Sequence, residues 1–271
     1  MLKKYPVLIV LLILGYAFLY TPIFSLVIYS FNESRLVTVW GGFSTKWYGE
    51  LMQNGPLLSA AWLSIKIAAL NACGAVILGT FAALALVRFR HSRGHESLGI
   101  MAAAPLVMPE VIVGLSLLLL FVAMEDLIGW PNGRGQTTIL IAHITFSMAY
   151  VTVIVQSRLM HMDKSIEEAA LDLGARPVKV FFTITLPMIA PALAAGWLLS
   201  FTLSMDDLVI ASFVSGPGST TLPMVVYSSV RLGVSPQINA LATIIISVVA
   251  LAVLIASISM YRQEMKNAKR T

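Results

Sequence analysis

A chain of 271 residues with 58% hydrophobic and 11% charged residues and a mean hydropathy of +0.86 does not read as a soluble domain, because soluble proteins carry roughly 25% charged residues. It reads as an all-α polytopic membrane protein, one helical bundle over residues 1–271 with no room for a separate catalytic domain. The formal charge of +5 on so apolar a chain bears on orientation in a bilayer rather than on nucleic acid, and the single cysteine, Cys73, excludes an intrachain disulfide and a cysteine-based metal site.

A hydrocarbon core about 30 Å thick needs about 20 mostly apolar residues per helix, and six runs meet that need. The first, at about 5–29, follows Lys3 and Lys4. It is too long for the apolar stretch of a signal peptide and no A-x-A-like cleavage site follows, so it is expected to be a retained helix. The second, at about 67–87, contains the small-residue ladder Ala75, Gly79 and Ala83, which permits close helix approach, and ends at a basic stretch over 88–93. The third and fourth are expected at about 98–124 and 138–156. A polar loop over 158–187 precedes the fifth, at about 188–214, and the sixth follows at about 238–260.

Six spans divide the loops into two alternating sets. One set carries Lys3, Lys4, Arg88, Arg90, Arg93, Arg158, Lys164, Arg176, Lys179, Arg262, Lys266, Lys269 and Arg270, thirteen of the 18 basic residues. The other carries only Arg35, Lys46, Arg134 and Arg231. The positive-inside rule therefore places both chain ends and the 158–187 loop in the cytoplasm. Trp40, Trp47, Trp62 and Trp130 fall on the opposite side, as expected of an interfacial aromatic belt, and Lys66 is expected to snorkel to that interface.

The chain has no G-x-x-x-x-G-K-[ST] motif and no Gly-Lys pair, so it lacks a P-loop and is not expected to hydrolyse ATP alone. His91, His95, His143 and His161 show neither an H-E-x-x-H motif nor acids at metal-ligand spacing, and there is no G-x-S-x-G elbow. No catalytic or metal residues are assigned. His143, inside an apolar run, is expected to be a hydrogen-bonded core residue.

Within the 158–187 loop, Ser165 and Glu168 have the S-x-x-E spacing of a capping box. Ile166, Ala169, Ala170 and Leu173 then recur on one helical face. Gly174 is a stop signal, Pro177 bars unchanged continuation, and a second helix is expected to run from there through Pro187 into the fifth span. Periodicity alone fits a helix lying on the membrane surface; the two alanines fit a docking surface that another protein can approach closely.

Glu168-Ala169-Ala170, Gly174, Ile184, Leu186 and Pro187 resemble the E-A-A-x-x-x-G-x9-I-x-L-P signature of permease subunits of ATP-binding-cassette (ABC) importers. The resemblance implies a type I ABC importer permease (MetI-like) fold in which this loop is a coupling helix seated on a separate ATPase. The stretches 27–32, 104–110, 201–218, 222–224 and 233–243 are similar to the spermidine/putrescine permease subfamily, and most to the second permease of a putrescine uptake system. That similarity implies a non-identical second permease, a homodimeric ATPase that binds ATP-Mg, a periplasmic polyamine-binding protein, and a periplasmic gate formed by residues 216–236. No cofactor is expected in this chain itself.

Glu110, Asp206 and Asp207 fall inside apolar runs. An acid at the bilayer centre costs about 2.5 to 3.5 kcal/mol, so each must face protein, water or a cation. Three acids against at most one base, Lys66, suit a cationic substrate. Asp206 and Asp207 lie about 100° apart on a helix, so one is expected to line a passage while the other caps a broken helix or bonds a neighbouring span. Either could instead be wholly structural. Two other functions are open on the residues alone: a related permease for ferric iron, sulfate or an aminophosphonate, and a transporter driven by an ion gradient.

Overall fold

The structure is a computed structural model that describes residues 6–36, 39–232 and 235–268. Lys3, Lys4, Lys269 and Arg270 of the basic set, and Gly233 and Val234 of the expected gate, lie outside the described residues. Among the described residues all regular structure is helical, with one isolated antiparallel bridge between Asn32 and Phe43. The helices are α1 (Pro6–Tyr29), α2 (Lys46–Gln53), α3 (Gly55–Arg88), α4 (His95–Val107), α5 (Glu110–Ile128), α6 (Gln136–Met160), α7 (Lys164–Asp172), α8 (Pro177–Val180), α9 (Leu186–Asp206), α10 (Val209–Val214), α11 (Leu222–Leu232) and α12 (Pro236–Ala268). A single π-helical turn, Phe181–Thr185, joins α8 to α9.

Among the described residues, six helical stretches are long and apolar enough to cross a membrane: Ile9–Tyr29, Gly55–Arg88, Glu110–Ile128, Gln136–Met160, Pro177–Asp206 and Pro236–Ile255. Two of the expected spans are not continuous. The third run breaks at Met108 and Pro109, because proline lacks the N–H needed to continue the ladder and pushes the preceding residue out of helical geometry; Met108 is extended at φ −77°, ψ 136°. The expected 98–124 helix is therefore α4 followed by α5. The fifth run is entered from Pro177 through Pro187, as expected, but it breaks at Asp207, which is extended at φ −65°, ψ 124°, so α10 is a separate short helix.

The chain divides into two compact units, one of Ser59–Val225 and one of the residues up to Leu58 with those from Val226 onward. In the first, Leu63, Ile67, Val113, Phe121, Ile139, Phe146, Ile210 and Val214 bring α3, α5, α6 and α10 into one core. Ala75, Ala83, Val151, Val155, Leu159 and Ile189 form a second, of α3, α6 and α9. The Ala75, Gly79, Ala83 ladder is where α3 meets α6: both alanines are fully buried, and a Cβ at Gly79 would sit 2.7 Å from the Val151 Cβ and 2.9 Å from the Met148 carbonyl oxygen. Asn71, also fully buried, donates from Nδ2 to the Ser147 hydroxyl at 3.1 Å and the Ser200 carbonyl at 2.8 Å, bonding α3 to α6 and α9.

In the second unit α1 and α2 pack on α12. The Asn32 side chain organises the segment before α2, donating to the Val39 carbonyl at 2.8 Å and accepting from the Gly41 N–H at 2.8 Å. Trp47 is not the exposed belt residue expected of it: it is 3% exposed and its Nε1–H donates to the Asn32 carbonyl. Trp40, Trp62 and Trp130 are exposed, as is Lys66.

The α3–α6 contact gives a direct test. Gly79→Val overpacks a site walled by backbone and is expected to cost about 1–3 kcal/mol, read as a lower thermal midpoint of the detergent-purified protein. Gly15→Val, where nothing lies within 4 Å of the new Cβ, is expected to leave that midpoint in place.

Candidate functional site

The α7 loop is built by strong local signals, though not the capping box expected. Asp163, rather than Ser165, is the N-cap, and its Oδ1 accepts from the Ser165 N–H at 2.9 Å. The carboxylate wins because it sits one position before Lys164 in extended geometry (φ −71°, ψ 113°), aimed at the free N–H groups of the first turn. The same Ser165 backbone N–H, with the Ser165 hydroxyl, holds the Asp163 carboxyl below the usual carboxylate range. At the other end the Ala175 N–H bonds the Ala170 carbonyl at 3.1 Å and the Gly174 N–H bonds the Leu171 carbonyl at 2.9 Å. This Schellman motif needs a left-handed residue, and Gly174 supplies it at φ +85°.

The apolar face read from the sequence points outward. Ile166 is 45% exposed and Leu173 89%, Glu168 and Ala169 are exposed, and Ala170 is half-buried. The residue α7 turns inward is Glu167, at 6% exposure, which the signature does not contain. Both its carboxylate oxygens accept from Arg88 Nη2 at 2.7 Å, and Oε1 also accepts from the Thr185 hydroxyl. Arg88 is the last residue of α3, where a cation also suits the helix dipole, and Thr185 closes the π-helical turn. That turn precedes Pro187, whose ring would crowd the Thr183 carbonyl and whose missing N–H removes a helical bond; widening the helix locally absorbs both. Ile184 and Leu186 are half-buried and Pro187 is exposed. A cleft of about 480 Å³ opens beside Glu167 between α3, α7 and α8, with Phe81, Phe89, Leu171 and Phe182 among its walls.

At the α9–α10 break the two aspartates separate, as expected, but because the backbone turns extended at Asp207 rather than by continued helical spacing. Asp207 turns inward: its Oδ2 lies 3.1 Å from His143 Nε2 and accepts from the Ala211 N–H at 2.8 Å, and its Oδ1 accepts from the Ile210 N–H at 3.3 Å. His143 Nδ1 lies 2.7 Å from the Ser204 hydroxyl. Asp207 thus both caps the broken helix and bonds a neighbouring one, and His143 is the hydrogen-bonded core residue expected. Asp206 ends α9 with its side chain exposed, and Glu110 opens α5 and is also exposed. Gly114, one turn beyond Glu110, packs against Ile210 and Phe213, so each helix break lies about one turn from a shared contact of α5 and α10. Where that end of α10 turns away, a Cβ at Gly216 would fall 2.0 Å from the Arg134 carbonyl oxygen, a close approach that admits only glycine.

Residues 75–268 match the family described as "Binding-protein-dependent transport system inner membrane component". The chain belongs to this family. It is 62% identical over 256 residues to the putrescine transport system permease protein PotI of Escherichia coli (strain K12), covering 94% of this chain and 91% of that one. It is 44% identical over 251 residues to the spermidine/putrescine transport system permease protein PotC of the same organism, covering 93% and 92%. In fold it is similar to a chain of a bacterial ABC transporter involved in the import of alginate, with a TM-score of 0.73 at 18% identity over 96% of both chains. It is also similar to a chain of the MetNI methionine ABC transporter, with a TM-score of 0.59 at 13% identity over 76% of this chain and 94% of that one. The fold is the MetI-like one of type I ABC importer permeases, and the protein is a transport subunit rather than an enzyme. Family membership favours ATP-driven uptake over the ion-gradient alternative, and supports a multi-pass inner-membrane protein.

The sequence missed Glu167 because its partner, Arg88, is 79 positions away. The one available signal was an acid inserted beside the apolar face of α7 with a basic residue ending an apolar helix. The geometry separates the roles of the two aspartates in a measurable way. Asp207→Ala leaves buried His143 and two N–H groups of α10 without their acceptor, at about 1–3 kcal/mol for a buried group left unpaired. It is expected to lower the thermal midpoint and the amount of folded protein, while Asp206→Asn leaves both unchanged.

Proposed function

We propose that this chain is one of two non-identical permease subunits of an ABC importer that carries polyamines, putrescine or spermidine, across the bacterial inner membrane. The observation that carries this reading is the 62% identity to a putrescine permease across 94% of the chain. The excess of acid in the apolar runs supports the same cargo. A dication crossing the bilayer needs negative groups that are free to meet it. Asp206 and Glu110 are exposed at helix breaks and Asp207 is already committed, so the first two are the residues we assign to the pathway.

In this reading the thirteen-residue basic set faces the cytoplasm, with both ends of the chain. The exposed face of α7, with Glu168, Ala169, Ala170 and Gly174, seats on one subunit of a homodimeric ATPase, which binds the ATP-Mg that this chain has no P-loop to hold. Ile184, Leu186 and Pro187 carry the movement into α9. A periplasmic polyamine-binding protein delivers cargo at the other end, where the Gly216 turn packs on Arg134.

Three measurements test this. Ala169→Asp or Gly174→Asp is expected to leave the protein in the membrane at normal levels and to abolish uptake, as seen with radiolabelled putrescine; unchanged uptake removes the docking surface. Glu110→Ala and Asp206→Ala are each expected to reduce putrescine uptake about tenfold or more, as for a lost close charge contact, with complex assembly intact, and wild-type uptake by both removes the pathway. ATP depletion is expected to stop uptake, and collapse of the proton gradient at constant ATP to spare it.

A further inference from the structure

Resting on the reading that α7 docks an ATPase, we propose that Glu167 is the positioning residue that makes α7, α3 and the α8–α9 arm move as one body. Docking alone moves only what is docked. α7 has nine residues and its apolar side faces outward. Loops join it to α6 and α8. Force applied to α7 would be lost in those loops unless something rigid ties the helix to the spans.

Glu167 is placed to be that tie. It is the one residue of α7 that is buried, and its carboxylate receives two bonds at 2.7 Å from Arg88 and a third from Thr185. Arg88 ends a helix of 34 residues that is bonded midway to α6 and α9 through Asn71 and, near its other end, accepts the Leu222 N–H on the Ser64 hydroxyl at 2.8 Å. Thr185 is fully buried and opens directly into α9, which ends at Asp206 in the proposed pathway. One carboxylate thus joins the docking helix to two structures that reach the far side of the unit. A charged group with charge-assisted bonds holds its geometry far better than an apolar contact, which slides. Glu168, the signature's own acid, is exposed and makes no such bond among the described contacts, so the two adjacent acids divide the work: one faces outward to the partner and one inward to the chain's own helices.

The test uses the full complex of both permeases, the ATPase pair and the binding protein in proteoliposomes, with uptake and ATP hydrolysis measured together. Glu167→Gln keeps the shape and a bond to Thr185 but loses the ion pair, and Arg88→Gln breaks the same pair from its half-exposed end. Each is expected to lower the putrescine taken up per ATP hydrolysed about tenfold, an ordinary size for a lost coupling, with the ATPase still bound and hydrolysing. The double variant is expected to be no worse than the worse single one, because both remove the same link. Unchanged uptake per ATP, single effects that multiply in the double variant, or an ATPase that falls off the complex would each overturn the proposal. Ala169→Asp is run beside them. If it transports normally the docking reading itself fails, whereas an inactive Ala169→Asp with a fully coupled Glu167→Gln removes only the role given to Glu167.

Discussion

A lipid interior offers no water to a backbone that leaves its helix, so every interrupted span must find partners for its freed N–H and C=O groups inside the protein. This chain interrupts two of its apolar runs, at Met108–Pro109 and at Asp207, and the second shows how the demand is met. The Asp207 carboxylate takes the N–H groups of Ile210 and Ala211 and fixes His143, which in turn holds Ser204. Five polar side chains or backbone groups that would each be costly alone become one satisfied network across α6, α9 and α10. The break can then exist, and with it an exposed acid, Asp206, at depth in an apolar segment.

The same economy of polar groups governs the opposite end of this unit. Glu167 is another buried acid, and it too is fully engaged, by Arg88 and Thr185. Between the two sites run α3, α6 and α9, joined by small residues and by Asn71 rather than by bulky apolar packing alone. Gly79 brings α3 within backbone distance of α6, so these helices cannot shift separately without reopening a tight interface. A tightly joined bundle of this kind suits the coupling role proposed for α7. That is what a permease without a nucleotide site of its own requires, since the work is done on it from outside.

Much of this was legible in the residue string. Hydropathy located six spans because the bilayer sets their length, and basic residues sorted the loops because charge asymmetry is a property of composition. The E-A-A signature was readable because its parts are local: a helix start, two small residues, a glycine that must adopt positive φ, and a proline. The helix over residues 164–172 and the stop at Gly174 were found where they were expected. The N-cap lies two residues before the expected Ser165, since Asp163 and Ser165 both carry suitable oxygens and only the backbone angle at Asp163 decides between them. Trp47 matches a membrane anchor in its sequence context; its burial comes from the packing around Asn32, whose carbonyl its indole N–H meets, which no periodicity reveals.

The sequence by itself determined the class and the number of spans and carried the E-A-A signature on which the proposed docking site rests, because each depends on properties that act over a single helix or a short motif. It also suggested that the paired aspartates divide their roles, although the helical spacing behind that expectation does not hold at Asp207, where the backbone leaves the helix. Which of them turns inward, and which acid on α7 is tied to the bundle, was decided only by tertiary structure. Both answers depend on partners far along the chain, His143 for Asp207 at a separation of 64 residues and Arg88 for Glu167 at 79. A carboxylate in an apolar setting goes to whichever donor the folded helices bring within about 3 Å, and that meeting is a property of the packing.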